Sequence, residues 1–106
     1  MQIWKLTPLD LADPSWEAST HKADVVVRAP SEQAARGAAK LALRTMVARP
    51  PIGAEIPVCP WTYEAKVSAE VLTESDWPAD GEVEILDPPY HNDALEGFSA
   101  EDLEKL

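Results

Sequence analysis

Few residues of this chain have side chains that could perform chemistry. One cysteine, Cys59, and two histidines, His21 and His91, are present, and their spacing does not indicate a nucleophilic site, which needs a thiol beside a histidine and an acid. Asp87, His91 and Asp93 offer ligand types that suit several metal ions, but they lie in a turn within an acidic tail. No phosphate-binding glycine loop, CxxC or HExxH motif occurs. We therefore expect no catalytic residues, no metal site, no cofactor and no enzymatic activity.

Acidic side chains are the dominant chemical feature. The net charge is −10, and residues 64–106 hold thirteen acids and two lysines. Residues 28–49 hold five basic side chains and one acid. Such a balance disfavours direct binding of nucleic acid, because neutralising phosphates supplies most of that affinity. A protein partner with a basic surface is the expected counterpart.

Three glutamates are the candidate binding carboxylates. Glu82 and Glu84 point to the same side of a predicted strand, and Glu70 points outward from the preceding one. If these two strands pair, the three side chains form one acidic sheet face. Trp61 and Trp77 lie in proline-rich loops and are further candidates, because exposed tryptophans mark interfaces. The alternative for all four tryptophans, Trp4 and Trp16 included, is packing in or over the core.

A strand followed by a helix forms the centre of the chain. Val25–Val27 is a β-branched run typical of a central strand, and Pro30 ends it. Ser31 is the expected N-cap of an amphipathic helix that stops by Arg49. The inner face of this helix is mostly alanine, which allows close packing on a sheet.

Arg36, Lys40 and Arg44 recur at helical spacing on the opposite face of this helix, which also carries Gly37. They form a possible basic docking stripe for an acidic surface. Two other interpretations remain open: a solvated face with no role, and an internal partner for the acidic tail. Gly37 costs about 1 kcal/mol against alanine in a helix, and no local pattern explains it.

Three further strands are predicted from apolar alternation, over residues 2–7, 65–72 and 82–86. Ser99 and Asp102 fit a capping box, which predicts a short helix at about residues 100–105. The order is therefore β-β-α-β-β with a C-terminal extension. We expect an α+β fold with a four-stranded, mainly antiparallel sheet and one helix on one face. Residues 1–90 are predicted to form a single domain and residues 91–106 an acidic extension docked through Leu95, Phe98 and Leu103.

The expected cellular location rests on sequence signals that are missing. A single cysteine excludes an internal disulfide. No apolar run is long enough to span a bilayer, and the first residues do not resemble a signal peptide. A cytoplasmic protein without membrane association is expected.

Several short motifs together resemble a set of short bacterial proteins that have no established activity. These are Trp4-Lys5-Leu6, Pro8-Leu9-Asp10, Trp16-Glu17-Ala18-Ser19-Thr20, Val27-Arg28-Ala29, Ala35-Arg36 and Pro60-Trp61. The resemblance covers roughly residues 1–88 and leaves out the tail after Tyr90. It implies no catalytic or binding residue.

Three functional hypotheses follow. The first is a non-enzymatic protein-binding domain that presents acids to a basic partner, as inhibitors, adaptors, antitoxins and phage anti-defence proteins do; this is analogy at the level of class. The alternative is a homodimeric structural domain, joined either by the basic stripe against acidic strands or by an exposed strand edge. A domain with a small-ligand or catalytic pocket between the sheet and residues 49–63 is the third.

Overall fold

The computed structural model describes residues 1–13, 16, 19, 21–43, 60–87 and 89–106, with the side chains of 89–91 excepted. Four strands and two α-helices occur in this part of the chain. The strands are β1 (Gln2–Pro8), β2 (Val25–Ala29), β3 (Val67–Val71) and β4 (Glu84–Asp87). The helices are α1 (Glu32–Leu43) and α2 (Ala100–Glu104), and 3₁₀ helices span Pro60–Thr62 and Pro89–Leu95.

The strands form one four-stranded sheet in the order β3-β1-β2-β4, with every neighbouring pair antiparallel. This confirms the α+β fold and the antiparallel sheet expected from the sequence. Trp4 of β1 lies opposite Val27 on one side and Val71 on the other. The central positions belong to β1 and β2, so β3 and β4 lie at opposite edges.

One face of the sheet is packed under α1. Leu6, Val25, Val27 and Ile85 from the strands meet the alanine-rich face of the helix in one core. The Ser31 hydroxyl accepts a hydrogen bond from the Ala34 N–H at 3.2 Å, as expected of the N-cap. The predicted continuation of this helix beyond Leu43, up to Arg49, lies outside the described residues.

The polar face of α1 is only partly exposed: Gln33 is exposed, but a solvated face is wrong for Arg36 and Gly37. Arg36 is only 5% exposed, and Gly37 is buried beside it. A Cβ atom added at Gly37 would collide with the main-chain oxygen of Leu103 in α2. The glycine therefore lets the two helix backbones approach closely, which is a tertiary role that helix propensity alone does not reveal.

The C-terminal residues pack into the same core. Ser99 and Asp102 form the predicted capping box at the start of α2. Leu95 and Leu103 belong to the core cluster together with the strands and α1. Phe98, which was also expected to be docked, is 45% exposed. The turn at Gly97, with φ of +83°, precedes it.

Two strands are shorter at their N-terminal ends than the alternation predicted. Before β3, the N–H groups of Lys66 and Val67 both donate to the Tyr63 carbonyl, which makes a turn where residues 65 and 66 were expected to be extended. Before β4, the main chain at Glu82 turns toward Arg28 and accepts a hydrogen bond from its side chain. Both differences come from contacts that side-chain alternation does not encode.

Within the described ranges, none of the helices combines the length and the apolar character that crossing a bilayer requires.

We expect Gly37→Ala to lower the free energy of unfolding by about 1–3 kcal/mol, although alanine favours a helix by about 1 kcal/mol, because the new methyl group forces α1 and α2 apart. Urea unfolding followed by circular dichroism measures the change. Gln33→Ala on the exposed side of α1 is the matched control and should shift stability by less than about 0.5 kcal/mol. A Gly37→Ala protein more stable than the wild type would contradict the close approach of the helices.

Candidate protein-binding groove

The structure does not bring the five candidate binding residues into one surface. Trp61 is completely buried, so it belongs to the core and cannot form an exposed binding site. Trp77 is 36% exposed in the loop between β3 and β4. Glu70 lies on β3, whereas Glu82 and Glu84 lie at the opposite edge of the sheet.

The predicted acidic sheet face was therefore wrong. It required β3 and β4 to pair, but β1 and β2 separate them. Both intervening strands carry cations on the open face of the sheet: Lys5 lies opposite Glu70, and Arg28 lies opposite Glu84. Opposite charges alternate across this face, so it does not present a continuous acidic surface.

The basic stripe on α1 is also divided by the fold. Arg36 is buried, donates to the Trp61 carbonyl at 3.4 Å and lies 3.6 Å from Glu32. Lys40 donates to the main-chain oxygen of Leu106 at 3.2 Å, which fits its interpretation as an internal partner of the tail. Arg44 lies outside the described residues. Arg36 is thus unavailable for docking a partner.

Trp61 packs in a cluster of aromatic and polar groups. Its ring meets that of Trp16 edge-on at 5.2 Å and stacks on His21 at 6.5 Å. Its indole N–H donates to the Ser19 hydroxyl at 2.9 Å. The indole N–H of Trp61 is thereby satisfied, whereas that of Trp16 has no hydrogen-bond partner among the described residues. Both side chains are almost completely buried, which confirms the packing interpretation for Trp61 and Trp16.

A groove of about 820 Å³ lies between β4 and the C-terminal residues. Among the described residues that line it, four carry carboxylates and none is lysine or arginine; the acids are Glu82, Glu84, Asp93 and Glu96. Apolar side chains alternate with them, including Val83, Leu95 and Phe98. The groove is acidic at its rim and partly apolar at its floor, a composition that suits a cationic ligand with an apolar group.

Arg28 positions one wall of this groove. Its side chain is buried, with Nε donating to the Glu82 carbonyl at 2.8 Å and Nη1 to the Pro78 carbonyl at 3.3 Å. Nη2 contacts the Glu84 carboxylate at 2.6 Å. Gly81 has φ of +134°, and a Cβ there would approach Nη2 to 2.6 Å, so a glycine is required. One cation thereby holds the loop that carries Glu82.

Asn92 closes the edge of β4 at the base of the groove. Its Oδ1 accepts from the Ile85 N–H at 2.5 Å, and its Nδ2 donates to the Ile85 carbonyl at 2.9 Å. The side-chain amide therefore replaces the main chain of a neighbouring strand at this residue. Sequence reasoning missed Asn92, because an asparagine after Asp87-Pro88-Pro89 is typical of any turn.

The second wall is the N-terminal end of α2. The Ser99 N–H donates to Asp102 at 3.0 Å, and the Asp102 N–H donates to the Ser99 hydroxyl at 3.2 Å. Hydrogen bonds from the Ser99 main chain and hydroxyl lower the pKa of Asp102 below its usual 3.8. Glu104 accepts from the Ser31 hydroxyl at 2.6 Å, which ties this helix to the start of α1.

Metal-ligating side chains do not cluster in the described residues. No group of three histidine, cysteine, aspartate or glutamate side chains among them could hold a metal ion. His21 contacts the Asp24 carbonyl at 3.0 Å through Nε2. Cys59 and the side chain of His91 lie outside the described part, so the combinations predicted around them are untested.

No protein family model, curated protein or solved structure matches this chain. The resemblance to short bacterial proteins therefore stays a prediction. Support for a function comes from the chemistry of the groove itself.

We expect Asn92→Asp to lower the free energy of unfolding by about 1–3 kcal/mol, because a carboxylate can accept from Ile85 but cannot donate to its carbonyl. Asp93→Asn, at the exposed neighbouring position, should change stability by less than about 0.5 kcal/mol. Urea unfolding compares the two variants. Equal stabilities would show that the Asn92 side chain does not hold the β4 edge.

Asp102 should make α2 sensitive to acid. A lowered pKa means that the ionised carboxylate stabilises the fold above its unfolded pKa, and that this contribution disappears as the pH falls through the lowered value. Asp102→Asn should therefore lower the urea midpoint at pH 7, and the difference from wild type should shrink as the pH falls below the ordinary pKa of 3.8 and through the lowered one. Glu101→Gln removes the same charge without removing the cap and should show a smaller difference. A difference that persists undiminished at low pH would contradict this role.

Proposed function

We propose that this protein is a small, non-enzymatic protein-binding domain whose groove beside β4 receives a basic segment of a partner protein. The observation that carries the proposal is the lining of the groove, whose described residues include four carboxylates and no lysine or arginine side chain. The groove replaces the acidic sheet face that the sequence predicted. Glu82 and Glu84 remain in the proposed site, and Glu70 and Trp61 leave it.

Charge is the first argument for a basic partner. The chain carries a net charge of −10, and thirteen of its acids fall within residues 64–106, the part of the chain that builds the groove. A cleft lined by charges of one sign concentrates the electric field and speeds the approach of an oppositely charged partner. Exposed rim charges such as Glu82, Asp93 and Glu96 act mainly on association rate and specificity.

An apolar contact is the second argument, because charge alone does not select a segment. Phe98 is 45% exposed at the groove, beside the buried Leu95. Aromatic side chains of this kind contribute a large share of the energy at protein interfaces. The proposed ligand is therefore a segment with several lysine or arginine residues around one large apolar side chain.

The walls of the groove favour binding because they are held in place before a partner arrives. Arg28 holds the loop that carries Glu82 through three contacts, and Asn92 is bonded to both main-chain groups of Ile85. Groups that are already ordered lose less conformational freedom on association. Glu84 is committed to Arg28, which leaves the exposed carboxylates as the groups that would meet the partner.

Charge reversal at the groove tests the proposal. Glu82→Lys and Glu96→Lys should each weaken capture of the partner about tenfold, whereas Glu70→Lys, an exposed glutamate on the opposite edge of the sheet, should not. Immobilised wild-type and variant proteins are exposed to the same lysate, and retained proteins are compared by mass spectrometry at two salt concentrations. The relevant partner is retained by wild type and Glu70→Lys, and is released by salt.

Phe98→Ala separates the apolar contribution from the charge. It should weaken binding of the same partner without changing the salt dependence, because it removes no charge. A partner that binds all variants equally would exclude the groove as the site, and the absence of any partner whose retention depends on Glu82 or Glu96 would overturn the proposal.

A further inference from the structure

The main-chain groups of β3 alternate between two directions. Leu72 donates to the Ile3 carbonyl at 2.8 Å, and Leu9 donates to the Lys66 carbonyl at 3.0 Å, so the even-numbered residues of this stretch bond to β1. In an antiparallel ladder the intervening residues point their N–H and C=O groups the other way. Val67, Ala69 and Val71 therefore direct these groups away from the sheet.

Most of these outward groups have no partner among the described residues. The Val67 N–H donates to the Tyr63 carbonyl. In the part of the chain that the structure describes, the main-chain groups of Ala69 and Val71 have no hydrogen bond on the outer side. This is the reverse of β4, where the Asn92 side chain occupies both outward groups of Ile85. Among the described residues, the β3 edge therefore keeps donors and acceptors that another strand would bond, at Ala69 and Val71.

The side chains of β3 are also incompletely covered. Ala69 and Val71 point to the core face of the sheet but remain half-buried. Helix α1 packs chiefly on β2 and β4, near the edge of the sheet opposite to β3. A strand added beside β3 would cover these two apolar side chains as well as bond the main chain.

We propose that a second copy of this chain supplies that strand, so that two β3 edges pair antiparallel about a two-fold axis at Ala69. This register sets Ala69 opposite Ala69 of the second copy and Val71 opposite Val67 of the second copy. It forms about four interchain hydrogen bonds, because the two outward N–H groups that are free in each chain both find a carbonyl. Apolar side chains meet on the core face.

Charge and hydrogen bonding favour this register over the registers shifted by one residue in either direction. Pairing shifted by one residue toward Val71 would set Glu70 directly opposite Glu70 of the second copy. Two like charges at this distance are destabilising. In the proposed register Glu70 faces Ser68 of the second copy and keeps Lys5, its neighbour on β1, at its other side. Pairing shifted by one residue toward Val67 would lose interchain hydrogen bonds, because the Val67 N–H already donates to the Tyr63 carbonyl. The β3 sequence is thus complementary to itself in one register.

Salt distinguishes this contact from the proposed partner complex. Each copy carries a net charge of −10, so two copies repel at low ionic strength. Added salt screens that repulsion and should strengthen self-association, whereas it weakens binding of a basic partner. The two proposals use opposite edges of the sheet and can therefore fail independently.

Sedimentation velocity of the purified chain, from about 10 µM to about 1 mM, at low and high salt, tests the proposal; a weak dimer is expected from so small an interface. Ala69→Pro should raise the dimer dissociation constant about tenfold or more, because it removes an outward N–H from each copy and leaves the bonds to β1 intact. Ser68→Pro, one residue away, removes an inward N–H and should instead destabilise the monomer. Val71→Lys is a second variant that blocks the edge with charge.

The expected result is a dimer that strengthens with salt and is lost in both Ala69→Pro and Val71→Lys while their circular dichroism stays that of the wild type. A chain that remains monomeric at the highest concentration and salt overturns the proposal. So does a dimer that survives both substitutions, or a β3 edge that binds extended peptides but never its own copy.

Discussion

The close contact between α1 and α2 at Gly37 is the constraint on which the rest of the structure depends. Only a residue without a side chain allows the main chain at Leu103 to lie against α1. That approach buries Leu103 in the core and places Ser99 and Phe98 beside β4. Helix α2 has five residues, which is too short to be stable alone, so its structure relies on this packing and on its capping box.

The buried arginines Arg28 and Arg36 bind groups inside the protein rather than a partner at its surface. Arg28 brings together the Glu84 carboxylate and two carbonyls from the loop before β4, and so converts an irregular segment into an ordered wall. Arg36 lies between α1 and Trp61, with its Nε unpaired in the described part of the chain. A buried cation without its partners is costly, which explains why each guanidinium group lies against a carboxylate and a main-chain carbonyl.

The two edges of the sheet differ, and the difference separates the two proposed interactions. At β4, Asn92 satisfies the main chain and the neighbouring surface is acidic, so recognition there depends on side chains. At β3, the outward main-chain groups of Ala69 and Val71 are free among the described residues, so the recognition proposed there is by strand pairing. Because the two proposed interactions use opposite edges, a partner and a second copy would not compete for the same surface.

Local sequence determined the secondary structure of most of the described chain. The valine run of β2, the Ser31 cap, the alternation of Val67, Ala69 and Val71, and the capping box at Ser99 each depend on residues close together in sequence, and each formed as expected. The antiparallel pairing of β1 with β2 was also predictable, because they are successive strands joined by a connection that carries turn signals.

Strand order and burial were decided only by tertiary structure. No local pattern indicates that β3 pairs with β1 rather than β4, and this choice alone moved Glu70 away from Glu82 and Glu84. The periodicity of α1 placed Arg36 and Gly37 on its polar face, but a second helix packs there, and helix spacing does not reveal what covers a face. Asn92 became an edge cap only because the chain returned to β4. The acidic character of the protein was therefore encoded locally, while the place where its acids converge followed from long-range contacts.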